Sequence, residues 1–162
     1  MKRHRQLTCA GVILGVLVLG MATRTVSAQN APQDPAPAAA APAAAAGGDK
    51  STKDGVYTDA QSERGAATAK TTCSACHGRT MKGGMLGPSV VGDTFKGNYD
   101  GRPIGELFDK IKMTMPQNNP GSLTPEATAD LVAFILKLNE FPAGEAEVPV
   151  DADALNKITF KQ

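Results

Sequence analysis

Cys73-Ser74-Ala75-Cys76-His77 decides how this chain is read. Two thiols three positions apart on the end of a helical turn face the same way. The histidine that follows at once projects its imidazole beside them. A thioredoxin-like redox CxxC belongs in a βαβ setting, and no strand-alternating segment flanks this one. A structural zinc site needs four ligands, usually from a second Cys or His pair. The chain offers only Cys9 and His4 for that, both near the N-terminus. What remains is the attachment signature of a c-type haem. Each thiol forms a thioether with one vinyl group of the porphyrin, and the imidazole is the proximal iron ligand. Cys73, Cys76 and His77 are therefore the expected cofactor-binding residues, for one covalent haem c and its iron.

Residues 1–28 carry the pattern of a secretory signal. Lys2, Arg3 and Arg5 form a positive start, residues 10–21 are an apolar stretch, and Val26-Ser27-Ala28 offers small residues for cleavage. The apolar stretch is short of the roughly 20 residues that a membrane-spanning helix needs. No stable span is expected after cleavage, and Cys9 precedes the apolar stretch, which argues against a lipoprotein site. Export to the bacterial periplasm suits covalent haem attachment. The whole chain has 17 Lys+Arg and 16 Asp+Glu, and residues 1–28 hold four of the bases and no acid, so the remainder carries a net charge of −3. Two haem propionates would add to that. Nucleic-acid binding is excluded as a function class, because such proteins present a basic footprint.

Residues 29–54 read as a disordered Ala/Pro-rich linker, with prolines at 32, 35, 37 and 42 and no large apolar side chain to bury. The expected folded domain is 55–142, followed by a C-terminal extension, 143–162. A domain of that size gains from a prosthetic group around which short helices can pack. Three helices are legible. The first starts at Thr58, with Gln61 at capping-box spacing, and runs toward Thr71. The second covers 104–112, with Ile104, Leu107, Phe108 and Ile111 on one face. The third has Thr124 as N-cap and Pro125 at the first helical position, then Ala127, Leu131, Phe134, Ile135 and Leu138 at helical spacing. Gly83-Gly84, Gly87-Pro88 and Gly92 make the stretch after the haem motif a loop. In the extension, 151–157 is expected as a short helix, with Leu155 and Ile158 offered to a partner or folded back on the domain.

The sixth iron position has four sulfur candidates, Met81, Met85, Met113 and Met115, or it is open. With His4 removed, no second histidine remains. Met81 and Met85 follow the motif too closely to reach the opposite haem face without a tight wrap. Met113 and Met115 come 36 and 38 residues after His77, far enough for the chain to cross the haem edge and return. Met115 precedes Pro116, which biases it to an extended conformation, and Met113 would then point the other way. Met115 is the expected ligand, and Met113 and Met81 are expected to fill the core.

The order helix, CxxCH, Gly-Pro loop, helix, Met-Pro loop, terminal helix resembles the class I cytochrome c family over residues 57–139. Gln61…Arg64-Gly65, Cys73 to Gly78, Gly87-Pro88, Met115-Pro116 and Pro120-Gly121-Ser122-Leu123-Thr124 carry the resemblance. The resemblance implies an all-α, cytochrome c-like bundle of short helices around one covalent haem. It also implies His77/Met115 ligation and a Pro88 carbonyl that accepts from the His77 ring. These features are similar to small cytochromes associated with periplasmic quinoprotein alcohol and sugar dehydrogenases. The implied function is one-electron transfer between redox partner proteins, a quinoprotein dehydrogenase and a terminal oxidase among them, with no catalytic residues of its own. Two alternatives stay open: a ligand-binding or peroxidase-like haem protein with an open sixth site, and a dedicated subunit of a dehydrogenase complex. The chain departs from the family in two places. Thr68 stands where an aromatic residue is usual. Tyr99 stands where relatives commonly carry a tryptophan near the haem propionates; two readings stay open, a hydroxyl that donates to a propionate and a loop tyrosine with its ring packed and its hydroxyl in solvent.

Overall fold

A computed structural model of the chain describes residues 50–162. The signal segment, Cys9, His4 and most of the Ala/Pro-rich linker lie outside the described residues. The elements are β1 (Lys50–Ser51), a 3₁₀ turn (Thr52–Asp54), α1 (Asp59–Thr72), α2 (Ser74–His77), α3 (Asp93–Tyr99), α4 (Ile104–Thr114), α5 (Pro125–Leu138), α6 (Ala152–Asn156) and β2 (Ile158–Thr159). The fold is a helical bundle with one two-residue parallel strand pair.

The three helices expected from the sequence are present, and α1 and α5 begin at their threonine caps. Thr58 is extended, and its hydroxyl accepts from the Gln61 backbone N–H at 3.1 Å. Thr124 accepts from the Ala127 N–H at 3.1 Å, with Pro125 opening α5. In α4 the buried residues include Ile104, Leu107, Phe108 and Ile111, the face that the spacing marked. Helix α1 packs closely on α5 at Gly65. A Cβ placed there would lie 2.0 Å from the Asp130 carbonyl oxygen and 2.8 Å from Phe134 Cβ. Only a residue without a side chain allows that approach. Val132, Ala133 and Leu136 of α5, fully buried, form the middle of the core.

The folded unit is wider than the expected 55–142. Residues 50–54 belong to it: the Ser51–Asp54 turn is closed by a reciprocal capping box, and Lys50 and Ser51 pair with Ile158 and Thr159. The extension 143–162 is a strap laid over the domain. The Gly144 N–H donates to the Tyr57 carbonyl at 2.7 Å. Gln61 does not complete its capping box; its amide is turned to Val148, donating to the carbonyl at 3.1 Å and accepting from the N–H at 2.8 Å. Helix α6 forms behind an Asp151 N-cap. Val148, Leu155, Ile158 and Phe160 are all buried. The physical reason is apolar spacing: Ile158 and Phe160 alternate as a strand does and place both side chains inward. The Phe160 ring meets those of Phe95, Tyr99 and Phe141 at centroid distances of 6.3, 5.9 and 5.0 Å.

Candidate haem site

The haem motif occupies the end of α1 and the single turn of α2. The Cys73 N–H donates to the Ala69 carbonyl, and the N–H groups of Cys76 and His77 both turn back to the Cys73 carbonyl at 3.1 and 3.0 Å. That tight turn carries the two thiols three positions apart, and neither is in a disulfide. Burial pushes the Cys73 thiol above its ordinary pKa, and the neighbouring Cys76 adds to the effect, so at neutral pH Cys73 is held as the thiol.

The loop after the motif folds back beneath the imidazole. The Gly83 N–H donates to the His77 carbonyl at 3.0 Å, and the Val90 N–H donates to the Met81 carbonyl at 3.0 Å. Met81 is buried there, a core residue as expected. At Gly87 a Cβ would sit 3.0 Å from His77 Nδ1 and 3.1 Å from Cε1, so glycine is what lets the backbone lie against the ring. Pro88 follows, with its carbonyl oxygen 2.7 Å from His77 Nδ1. A carbonyl can only accept, so Nδ1 carries the proton and Nε2 is left as the donor for a metal. Asn139 at the end of α5 anchors the far end of this loop, accepting from the Gly92 N–H at 2.9 Å and donating to the Val90 carbonyl at 3.0 Å.

Met115 is the residue at which α4 ends. It is extended (φ −119°, ψ 151°) and half-buried, and packs with Cys73 against one apolar core. Met113 is 67% exposed and does not fill the core, contrary to expectation. The reason is that α4 runs to Thr114, so Met113 lies on its outer face and is not yet in the extended segment. Met85 is fully exposed on the loop beside His77. Tyr99 is half-buried, tilted against Phe95 at 5.1 Å, with the Arg102 guanidinium 5.8 Å from its ring centre. Its hydroxyl makes no hydrogen bond with the described residues. Among the described residues no cluster of three or more His, Cys, Asp or Glu could hold a metal ion.

The donor set fits a c-type haem: two unbridged thiols on one turn for two vinyl groups, an oriented imidazole with Nε2 available, and a thioether in a separate segment on the same core. Sequence reasoning did not anticipate α2 and α3. Helix α2 is one turn, and α3 has only Phe95 and Tyr99 as an apolar signal, with Gly97 inside it.

Residues 60–135 match the family described as Cytochrome C oxidase, cbb3-type, subunit III. Among solved structures, the chain is similar to one in the crystal structure of the sulfane dehydrogenase SoxCD from Paracoccus pantotrophus. The two share 22% identity at a TM-score of 0.44, over 65% of this chain and 59% of that one. This chain thus spans less than two thirds of its length. No curated protein matches. The matched residues contain nearly all of α1, the CxxCH turn, the Gly-Pro loop, the Met-Pro segment and most of α5.

Proposed function

We propose that this protein is an exported one-electron carrier that holds a single covalent haem between His77 and Met115. The observation that carries the reading is the His77 ring. With Nδ1 committed to Pro88 and Gly87 close against Nδ1 and Cε1, the imidazole is held with Nε2 left free. When bound, the haem supplies a one-electron couple at its iron. Cys73 and Cys76 would hold it through thioether bonds to its two vinyl groups. Pro88 and Gly87 hold the imidazole in one tautomer and orientation. Met115, fixed by the end of α4 and by Pro116, offers a thioether, a ligand that raises the potential when it stands opposite histidine. Burial raises the Tyr99 pKa above its usual value, so its phenol stays a donor at neutral pH, suited to a haem propionate. A periplasmic location rests on residues 1–28. A quinoprotein dehydrogenase as electron donor and a terminal oxidase as acceptor rest on the sequence resemblance.

The test is a comparison of two neighbouring methionines. Met115→Ala is expected to abolish the weak near-infrared sulfur-to-iron band of the ferric protein, lower the reduction potential, and admit carbon monoxide or cyanide readily. Met113→Ala is expected to do none of these. An exchange of phenotypes would move the ligand to Met113. A wild-type protein that lacks the band and binds carbon monoxide rapidly would have an open sixth site and be a ligand-binding haem protein.

A further inference from the structure

The chain has two tyrosines, and the fold treats them differently. Tyr57 is buried, and its hydroxyl is tied to the Phe141 carbonyl at 2.7 Å. Tyr99 is held by its ring instead. Phe95 and Phe160 lie against it at centroid distances of 5.1 and 5.9 Å, and the Arg102 guanidinium stands 5.8 Å from its centre. Its hydroxyl makes no hydrogen bond with the described residues, although a packed tyrosine generally finds a partner for its polar end. Tyr99 packs on the same core as Cys73 and Met115. The turn that follows Tyr99 is fastened from the far end of the chain. Gly101, left-handed at φ 77°, donates to the Phe160 carbonyl at 2.8 Å, and the Phe160 N–H donates to the Arg102 carbonyl at 2.8 Å. The Gln162 N–H donates to Asp100 Oδ1 at 2.9 Å. Among the described residues, the backbone hydrogen bonds that reach residues 99–103 from outside α3 and α4 all come from this segment. The segment is itself pinned by residues beside the Ala/Pro-rich tract. Lys50 and Ser51 pair with Ile158 and Thr159. The fully buried Thr52 hydroxyl donates to the Lys161 carbonyl at 3.1 Å and accepts from its N–H at 3.0 Å.

We propose that residues 157–162 are a clip that holds the Tyr99 phenol for the haem, with Phe160 and Thr52 as positioning residues for the reduction potential. The inference rests on the reading above, in which one haem is bound between His77 and Met115. A phenol that donates to a propionate draws off part of its negative charge. The ferric haem is one charge more positive than the ferrous, so it gains more from a nearby anion. A phenol held in place therefore raises the potential, and a phenol set loose lets it fall. Hydrogen bonds around the haem are among the levers by which a protein sets that potential. The clip and the residues that pin it lie wholly outside the family match at 60–135. Fixing the ring from Phe160 also spares the turn 99–103 from relying on its own short-range bonds, such as the Arg102 N–H to the Tyr99 carbonyl at 2.9 Å.

The test is a redox titration of the haem-loaded mature protein in four variants: Thr52→Val, Thr52→Ser, Tyr99→Phe and Thr52→Val/Tyr99→Phe. Thr52→Val keeps the shape of the side chain and removes both bonds to Lys161, without emptying the aromatic cluster as Phe160→Ala would. The potential should fall in Thr52→Val and in Tyr99→Phe, and Thr52→Ser, which keeps the hydroxyl, should restore the parent value. The double variant should match Tyr99→Phe, because the clip acts only through the phenol. Amide hydrogen exchange in the ferrous protein reads the clip separately: Gly101 and Phe160 should exchange roughly threefold to tenfold faster in Thr52→Val. Faster exchange with an unmoved potential would make the clip structural only and overturn the proposal. A double variant below Tyr99→Phe would overturn it too, since Thr52 would then act by another route. Unmoved exchange would show that Thr52 does not hold the clip, and an unmoved potential in Tyr99→Phe would assign that ring to packing; either result sinks the inference. Absence of a reversible one-electron couple, or of the sulfur-to-iron band, in the parent protein would instead bring down the carrier reading itself.

Discussion

Substituting alanine for glycine inside a helix usually helps, and at Gly65 it should hurt. The helical preference of Ala over Gly is worth about 1 kcal/mol. Against it stands the contact with α5: a Cβ at position 65 would lie 2.0 Å from the Asp130 oxygen, 2.6 Å from its carbonyl carbon and 2.8 Å from Phe134 Cβ. Carbon contacts are comfortable from about 3.5 Å, so the two helices would have to part by more than about 1 Å. Backbone faces backbone here, and no rotamer change relieves the clash. Overpacking of this kind costs ~1–3 kcal/mol, and the depth of overlap favours the upper end. The net expectation is a loss of about 2 kcal/mol. Gly97 supplies the control. It lies within α3, and the nearest atom to its added Cβ is Gln162 Nε2 at 3.9 Å, so Gly97→Ala should gain about 0.5–1 kcal/mol. In thermal melts of the haem-loaded protein, Gly65→Ala should lower Tm by roughly 8–12 °C and Gly97→Ala should raise it by about 2–5 °C. If both variants melt higher than the parent, α1 and α5 do not meet at Gly65, and the helix packing described above is wrong.

The strap gives a second prediction. Phe160 is fully buried among three aromatic rings, so Phe160→Ala should cost ~3–5 kcal/mol in urea unfolding with little change in the slope; a loss under about 1 kcal/mol would mean the strap is only loosely applied. Deletion of 143–162 should abolish accumulation of folded protein, and a stable truncated domain with an unchanged haem spectrum would restore the narrower boundary at 142. The tyrosines set the alkaline limit. Tyr57, whose hydroxyl donates to the Phe141 carbonyl at 2.7 Å, and Tyr99 both have pKa values raised by burial above 10.0. The unfolded chain ionises them first, so their contribution is whole below about pH 10 and is lost as pH rises through the folded values. Tm should therefore be insensitive to tyrosine ionisation at neutral pH and fall above about pH 10, less steeply in Tyr57→Phe. An unchanged slope in that variant would contradict the assignment.

Thr58, Thr124-Pro125 and the Ile104–Ile111 face were legible because caps and periodicity are local, and they located three helices. Pro88 beneath His77 was legible from the family resemblance. The strap was not. Leu155 and Ile158 were visible as apolar, but their partners in α4 and β1 are about 50 to 110 residues away in the chain, and nothing local says which surface they cover. Gln61 shows the same limit, since its spacing suggests a capping box while a backbone segment 87 residues on takes the amide. Met113 was misassigned because α4 runs two residues past the expected end at 112, and a helical position has a different facing from an extended one.

Covalent haem attachment at Cys73 and Cys76 underlies the proposed carrier function. The most direct measurement is acid-acetone extraction of the mature protein, followed by mass analysis of the peptide spanning 73–77. The expected result is colour that stays with the protein and one porphyrin adduct on that peptide, lost together with the colour in Cys73→Ala/Cys76→Ala. Haem that extracts freely, or a peptide with two unmodified thiols in the coloured protein, would contradict it.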